Sequence, residues 1–464
     1  MKRGLFMLAL MAMLSLSACG GGGGGATFTS PPPPPASKWA WVNGAILTNQ
    51  LGTYGSLGMP ATGNVPGARY SAVAWTDPAG IFWLFGGFGY DSAGTGSVKG
   101  YLNDLWSYSG TEWTWMGGST VGGQSGEYGV QGTPSPSNVP GSRFDAAAST
   151  DTAGFFWLFG GNGLDSAGSA AILNDLWKYS AGQWTWVSGP KLGGQVGAYG
   201  VQGVAAPSNL PGARESGASW SDAAGAFWLF GGNGLDSAGT LGQLNDLWKY
   251  NSGEWTWVGG SNLANQSGTY GTQGTAASNN LPGARSGPVL WVDAAGNVWL
   301  FGGNGVDSAA NGGYLNDLWK YSMGLWTWMG GSNLINEQGT YGSQGTAASG
   351  NIPGARTTAV GWTDAAGNFW LFGGQGYSAG QGGFLNDLWK YSAGKWTWMA
   401  GSTAADELGT YGTQGMAASS NIPGARDLAV SWIDASGNLW ILGGDGYPSS
   451  GLSGDLNDLW EFVP

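Results

Sequence analysis

The sequence predicts an all-β fold, a six-bladed β-propeller of four-stranded antiparallel blades closed by its amino-terminal strand. Three observations carry this expectation. Gly-Gly doublets begin at Gly86, Gly160, Gly231, Gly302, Gly373 and Gly443, spaced 74, 71, 71, 71 and 70 residues apart. Each doublet is followed by Asn-Asp-Leu-Trp, and each repeat carries a Trp-x-Trp pair. The pair belonging to the last repeat, Trp39-Ala40-Trp41, stands at the front of the folded part. A period held this evenly marks a repeat architecture, and several short strands per repeat mark a propeller blade.

The amino terminus comes first in the chain and reads as targeting sequence. Lys2 and Arg3 precede an apolar run, Leu5 to Leu16, that is too short to span a bilayer. Leu16-Ser17-Ala18-Cys19 resembles the lipobox of bacterial lipoproteins, which implies cleavage after residue 18 and a lipid on Cys19. Cys19 is the only cysteine, so no disulfide forms within one chain. Gly20 to Gly25 and Pro31 to Pro35 read as a flexible and then a stiff spacer. The expected organisation is a signal peptide at 1–18, a lipidated tether at 19–36 and a propeller at 37–464. Gly20 after the cysteine lacks the Asp that retains many lipoproteins at the inner membrane, so an outer-membrane or cell-surface position in a bacterial envelope is expected.

One repeat, Arg214 to Trp257, shows the strands. Ser219 to Ser221 reads as a first strand, and Asp222-Ala223-Ala224-Gly225 as a tight turn. Ala226 to Phe230 is a second, aromatic-rich strand that ends on the Gly-Gly doublet. A polar loop is expected next, then a third strand at Leu244 to Tyr250 and a fourth at Trp255 to Val258. The chain ends on a third strand, Leu456 to Phe462, and Lys38 to Val42 matches a fourth. The amino-terminal strand therefore completes the last blade and removes an open edge.

These residues carry a family resemblance. Leu-Phe-Gly-Gly, Leu-Asn-Asp-Leu-Trp-Lys-Tyr and a Trp seven residues after the Tyr, as in Tyr179 and Trp186, resemble the Kelch motif over Ser37 to Pro464. The repeat of about 71 residues exceeds the ~50 of a Kelch repeat. The galactose oxidase family, built on Kelch-like blades, binds copper through His and Tyr beside a Tyr–Cys cross-link. This chain has no His and no spare Cys, so neither a copper oxidase nor a His-based triad is expected. No cofactor and no metal ligand set is expected either. The resemblance to sialic acid mutarotases, also six-bladed Kelch propellers, implies that an enzyme on this scaffold is an alternative.

All 29 tryptophans fall on the repeat grid, which suits packing between blades. The net charge is −12, and becomes −14 once Lys2 and Arg3 are removed, which opposes nucleic-acid binding.

The antiparallel meander places the long loops on one face, where function is expected. Two repeated sets lie there. Arg69, Arg143, Arg214, Arg285, Arg356 and Arg426 begin the innermost strands and are candidates for binding an anion at the channel mouth. Because all six blades carry the Arg, the first reading is structural, pairing within each blade with Asp104, Asp175, Asp246, Asp317, Asp387 and Asp458. Tyr54, Tyr128, Tyr199, Tyr270, Tyr341 and Tyr411 are candidates for stacking on a ligand. Catalysis at a single site must break the sixfold pattern, and Asp145, Glu215 and Asp427 do so just after the repeated Arg. The expected function is a monomeric binding module for a protein or glycan. A carbohydrate-active enzyme such as a sugar mutarotase, and a structural envelope protein, are the alternatives.

Overall fold

The computed structural model describes residues 38–93 and 99–464. The signal segment, Cys19 and the tether lie outside the described residues. The described residues form six antiparallel blades around a central channel.

Blade three shows the plan. Its innermost strand is in two pieces, Arg214–Glu215 and Ala218–Ser221, both paired with Phe227–Leu235. Leu241–Asn251 and Glu254–Gly259 complete it, and Ala205–Ala206 adds a short outer strand. Aromatic and branched residues suit these half-buried strands because cross-strand neighbours pack side by side. Trp220 faces Trp228, for example, with the rings stacked 5.5 Å apart. The hairpin between the first two strands is fixed by Asp222. Its Oδ1 accepts the Ala224 and Ala226 N–H groups, and its Oδ2 accepts the Trp228 indole at 2.8 Å.

The second and third strands run further than the sequence predicts. The segment after the doublet was expected to be a polar loop, yet Phe227–Leu235 continues through Gly231-Gly232. The doublet makes this feasible. Phe230 pairs with Leu247 and Gly232 with Leu244, so Gly231 faces both Asn245 and Asp246 across a bulge. Gly231 has φ 64°, and a Cβ there would stand 2.8 Å from the Arg285 carbonyl of the next blade. Only glycine fits that approach.

The core lies between blades rather than within them. Trp157, Phe159 and Leu176 of blade two pack on Phe227, Leu229 and Trp248 of blade three. Trp75 of blade one stacks on Phe156 of blade two. The ring closes as the sequence predicts. Lys38–Asn43 pairs with Gly454–Val463, with Trp39 opposite Phe462 and Trp41 opposite Trp460. Trp39 is 2% exposed and sits against Phe372 of blade five.

Candidate functional site

The repeated Arg and Tyr are one unit in each blade. In blade three, Arg214 Nη1 and Nη2 donate to Asp246 Oδ1 and Oδ2 at 2.6 and 2.7 Å. Arg214 Nε donates to the Gly212 carbonyl, and Nη1 also to that of Gly231. Asp246 Oδ2 accepts the Tyr199 hydroxyl and the Trp248 indole as well. Burial, then the Asp246 carboxylate, pushes the Tyr199 hydroxyl far above its ordinary pKa. The same Arg–Asp pair recurs for Arg69, Arg143, Arg285, Arg356 and Arg426. Tyr54, Tyr128, Tyr270, Tyr341 and Tyr411 donate to the same aspartates.

The arginines thus pair within their blades, one of the two readings the sequence leaves open, and the tyrosines offered for stacking on a ligand share the same aspartates. All six arginines are at most 2% exposed, and the tyrosines at most 6%. A buried guanidinium must be paired, and here a forked carboxylate and two carbonyls pair it. The neighbouring Asn has a different task. Asn245 Nδ2 donates to the Pro282 carbonyl, which ties blade three to the loop entering blade four. The aspartates of the Asp-Ser loops are likewise engaged: Asp236 accepts the Ala238, Thr240 and Ala264 N–H groups.

Two residues beyond each Arg, the chain builds a ring around the channel. Ser71 N–H donates to the Leu428 carbonyl, Asp145 to Ser71, Ser216 to Asp145, Gly287 to Ser216, Thr358 to Gly287 and Leu428 to Thr358. The six bonds are 2.8–3.1 Å long and close the circle. Each of these residues has φ between 51° and 60°, and five of the six are not glycine. Left-handed backbone costs such residues about 1–2 kcal/mol each, a strain that the closed ring offsets. The ring lines a channel cavity of about 160 Å³ that includes Asp145. A groove of about 240 Å³ between blades three and four, lined by Gln202 and Asn279, contains no carboxylate or cation.

One residue nearer the loop face, each blade presents a cross-strand row of three side chains. Residues directly opposite in an antiparallel pair project to the same side of the sheet. In blade one the row is Tyr70, Phe88 and Tyr101. In blade six it is Asp427, Asp445 and Asp455. In blade three it is Glu215, Asn233 and Gln243. The sixfold pattern breaks here, with an aromatic row beside an acidic one.

Lys99 joins the two. Its Nζ is 2.7 Å from Asp455 Oδ1, 4.4 Å from the Tyr70 ring centre and 5.4 Å from that of Phe88. Asp455 is 1% exposed and Asp427 6%. Asp427 Oδ2 accepts the Thr358 hydroxyl at 3.1 Å, while Asp427 Oδ1 and Asp455 Oδ2 have no hydrogen-bond partner. Burial, then the Asp445 carboxylate, pushes Asp427 up to about 8. Burial also pushes Asp455 up to about 6, against the pull of Lys99. In the channel, enclosure and then Glu215 raise Asp145 to about 6.

The three symmetry-breaking carboxylates thus belong to one region, in two settings. Glu215 is held by the Asn162 and Asn233 amides at 3.1 and 3.0 Å. Asp145 lines the channel, and Asp427 lies in the acidic row, where its charge and that of Asp145 oppose each other. Sequence reading missed Asp445, Asp455, Lys99, Tyr70, Phe88 and Tyr101. A signal existed: after the doublet, three blades carry Asn (Asn162, Asn233, Asn304), whereas Phe88 and Asp445 depart from it.

No protein-family model matches the chain, and no curated protein matches it. Among solved structures, the chain is similar to a fungal alcohol oxidase of the AA5 family in complex with copper. The identity is 13% and the TM-score 0.44, over 89% of this chain and 77% of that one.

Proposed function

We propose that this chain is a binding module that takes a glycan at the channel mouth of its loop face, where blades six and one meet. One observation carries the reading: an aromatic row, Tyr70–Phe88–Tyr101, adjoins an acidic row, Asp427–Asp445–Asp455, at a single place in an otherwise repeating ring. Aromatic faces stack on the C–H faces of a sugar ring, and carboxylates accept hydrogen bonds from its hydroxyls. A few converging polar groups beside an apolar wall are what an orienting site needs. The lipobox-like Cys19 supports a lipid-anchored position in a bacterial envelope.

The test is a glycan array probed with the chain beginning at Ser37, followed by titration of the best binder. Tyr70→Ala and Tyr101→Ala are expected to weaken binding at least tenfold. Binding that survives both substitutions refutes this location, and an array without any saturable binder refutes the reading.

An acid–base reading rests on a different observation. Asp427, its carboxyl pushed up to about 8, stands beside a second carboxylate, Asp445. Such a pair can give and take a proton during sugar-ring opening. Mutarotation of aldoses followed by NMR tests it: acceleration that disappears in Asp427→Asn supports an enzyme, and a rate equal to that in buffer excludes one.

A further inference from the structure

The acidic row is short of cations. Asp427, Asp445 and Asp455 stand side by side across three paired strands, and directly opposed like charges repel. Among the described residues, Lys99 is the single ammonium paired with this row. Two buried oxygens, Asp427 Oδ1 and Asp455 Oδ2, remain without a partner. A buried polar atom left unsatisfied is destabilising, so a donor arriving there is favoured. Asp145 and Glu215 add further negative charge to the same mouth, while the six arginines are neutralised inside their blades.

Lys99 shows what kind of donor the place suits. Its ammonium rests on a carboxylate and over the faces of Tyr70 and Phe88. A carboxylate and two ring faces around an ammonium form a cation–π site, with an internal side chain as occupant. A hard divalent cation suits it poorly, because such ions need six or more oxygens and the ring faces supply none. Among the described residues no group of three acidic side chains converges closely enough to hold a metal ion.

We propose that this row recognises a primary ammonium group on the ligand, so that the glycan is an amino sugar, and that Lys99 occupies the ammonium place in the free protein. The inference rests on the glycan reading and narrows it. An incoming ammonium displaces Lys99, donating to Asp427 and Asp455 while its sugar ring lies on the aromatic row. Anionic sugars are repelled by the same carboxylates.

Calorimetric titration of the mature chain with three probes tests this: a glucosamine tetramer, its fully N-acetylated counterpart, and spermidine. The glucosamine tetramer is expected to bind at least tenfold more tightly than the acetylated one, and to weaken as salt rises. Asp427→Asn and Asp455→Asn are expected to weaken it at least tenfold, with melting temperatures confirming that both variants fold. Lys99→Met is expected to tighten it, because the internal competitor is gone; a loss of affinity in that variant would refute the displacement. Equal binding of acetylated and free tetramers overturns the ammonium inference and leaves the glycan reading standing. Binding of spermidine without either tetramer supports the ammonium site and overturns the glycan reading. Failure of all three probes at low salt overturns the inference.

Discussion

Replacing Asp246 with leucine removes the acceptor for four hydrogen bonds at once. Arg214 Nη1 and Nη2, the Tyr199 hydroxyl and the Trp248 indole all donate to this carboxylate, at 2.6–2.7 Å. Arg214 is 1% exposed, so its charge is left inside the blade. Breaking a buried ion pair from one side costs about 3–5 kcal/mol. The orphaned hydroxyl and indole each add about 1–3 kcal/mol unless water reaches them. Set against a total stability of about 5–15 kcal/mol for a typical native protein, the single change is severe. The double variant Arg214→Met with Asp246→Leu removes the stranded charge, so it is expected to be more stable than Asp246→Leu alone. Urea unfolding followed by tryptophan fluorescence reads both, with the slope checked for a change in cooperativity. A midpoint shift worth less than ~1 kcal/mol for Asp246→Leu would show that the pair does not hold the blade. Strictly additive single effects would show that Arg214 and Asp246 are not coupled. Loss of glycan binding in Arg214→Ala with the fold intact would return the arginine to the ligand site.

Three further predictions follow from the geometry. Deleting Lys38–Asn43 exposes the edge of Gly454–Val463 and empties the place of Trp39, whose truncation alone is expected to cost about 3–5 kcal/mol. A melting temperature unchanged by the deletion refutes the closure. Gly231→Ala forces a side chain into left-handed backbone 2.8 Å from the Arg285 carbonyl, and is expected to destabilise more than Gly225→Ala, whose Cβ meets nothing within 4 Å. Equal effects would mean that the bulge tolerates a side chain.

The third concerns pH. Asp427 has a folded pKa raised to about 8, so its protonated form stabilises the fold fully below about pH 4, and that contribution fades as pH rises toward 8. The groups facing it are Asp445, Asp145, Thr358, Tyr70 and Tyr314. Asp427→Asn is therefore expected to raise the melting temperature relative to the unsubstituted chain at pH 8–9, with the gap closing near pH 4. A gap that instead widens on acidification reverses the sign and refutes the burial argument.

Much of the architecture was legible because it is repeated. Periodicity exposed the blades, and the displaced Trp39-Ala40-Trp41 exposed the closure, since a missing outer strand at one end matched a spare one at the other. The Arg–Asp pairing is one of two readings the sequence allows, because residue spacing cannot say whether a guanidinium turns inward or toward the channel. The strand extensions were not legible. Gly231-Gly232 looks like the end of a strand, yet here it sits opposite Asn245-Asp246 in a bulge that lets both strands continue.

That continuation decides the candidate site. Tyr70, Phe88 and Tyr101 are separated along the chain by 18 and 13 residues, and Asp427, Asp445 and Asp455 by 18 and 10. Nothing local joins them; only strand register aligns them, and only closure of the ring sets blade six beside blade one. The sequence by itself determined the blade count, the closing strand and the packing role of its tryptophans, because these follow from period and composition. The tertiary structure alone decided that the arginines face inward to aspartate. It also decided that an aromatic row and an acidic row meet at one edge of the channel, because side-chain direction and cross-blade proximity depend on contacts made only after the ring has closed.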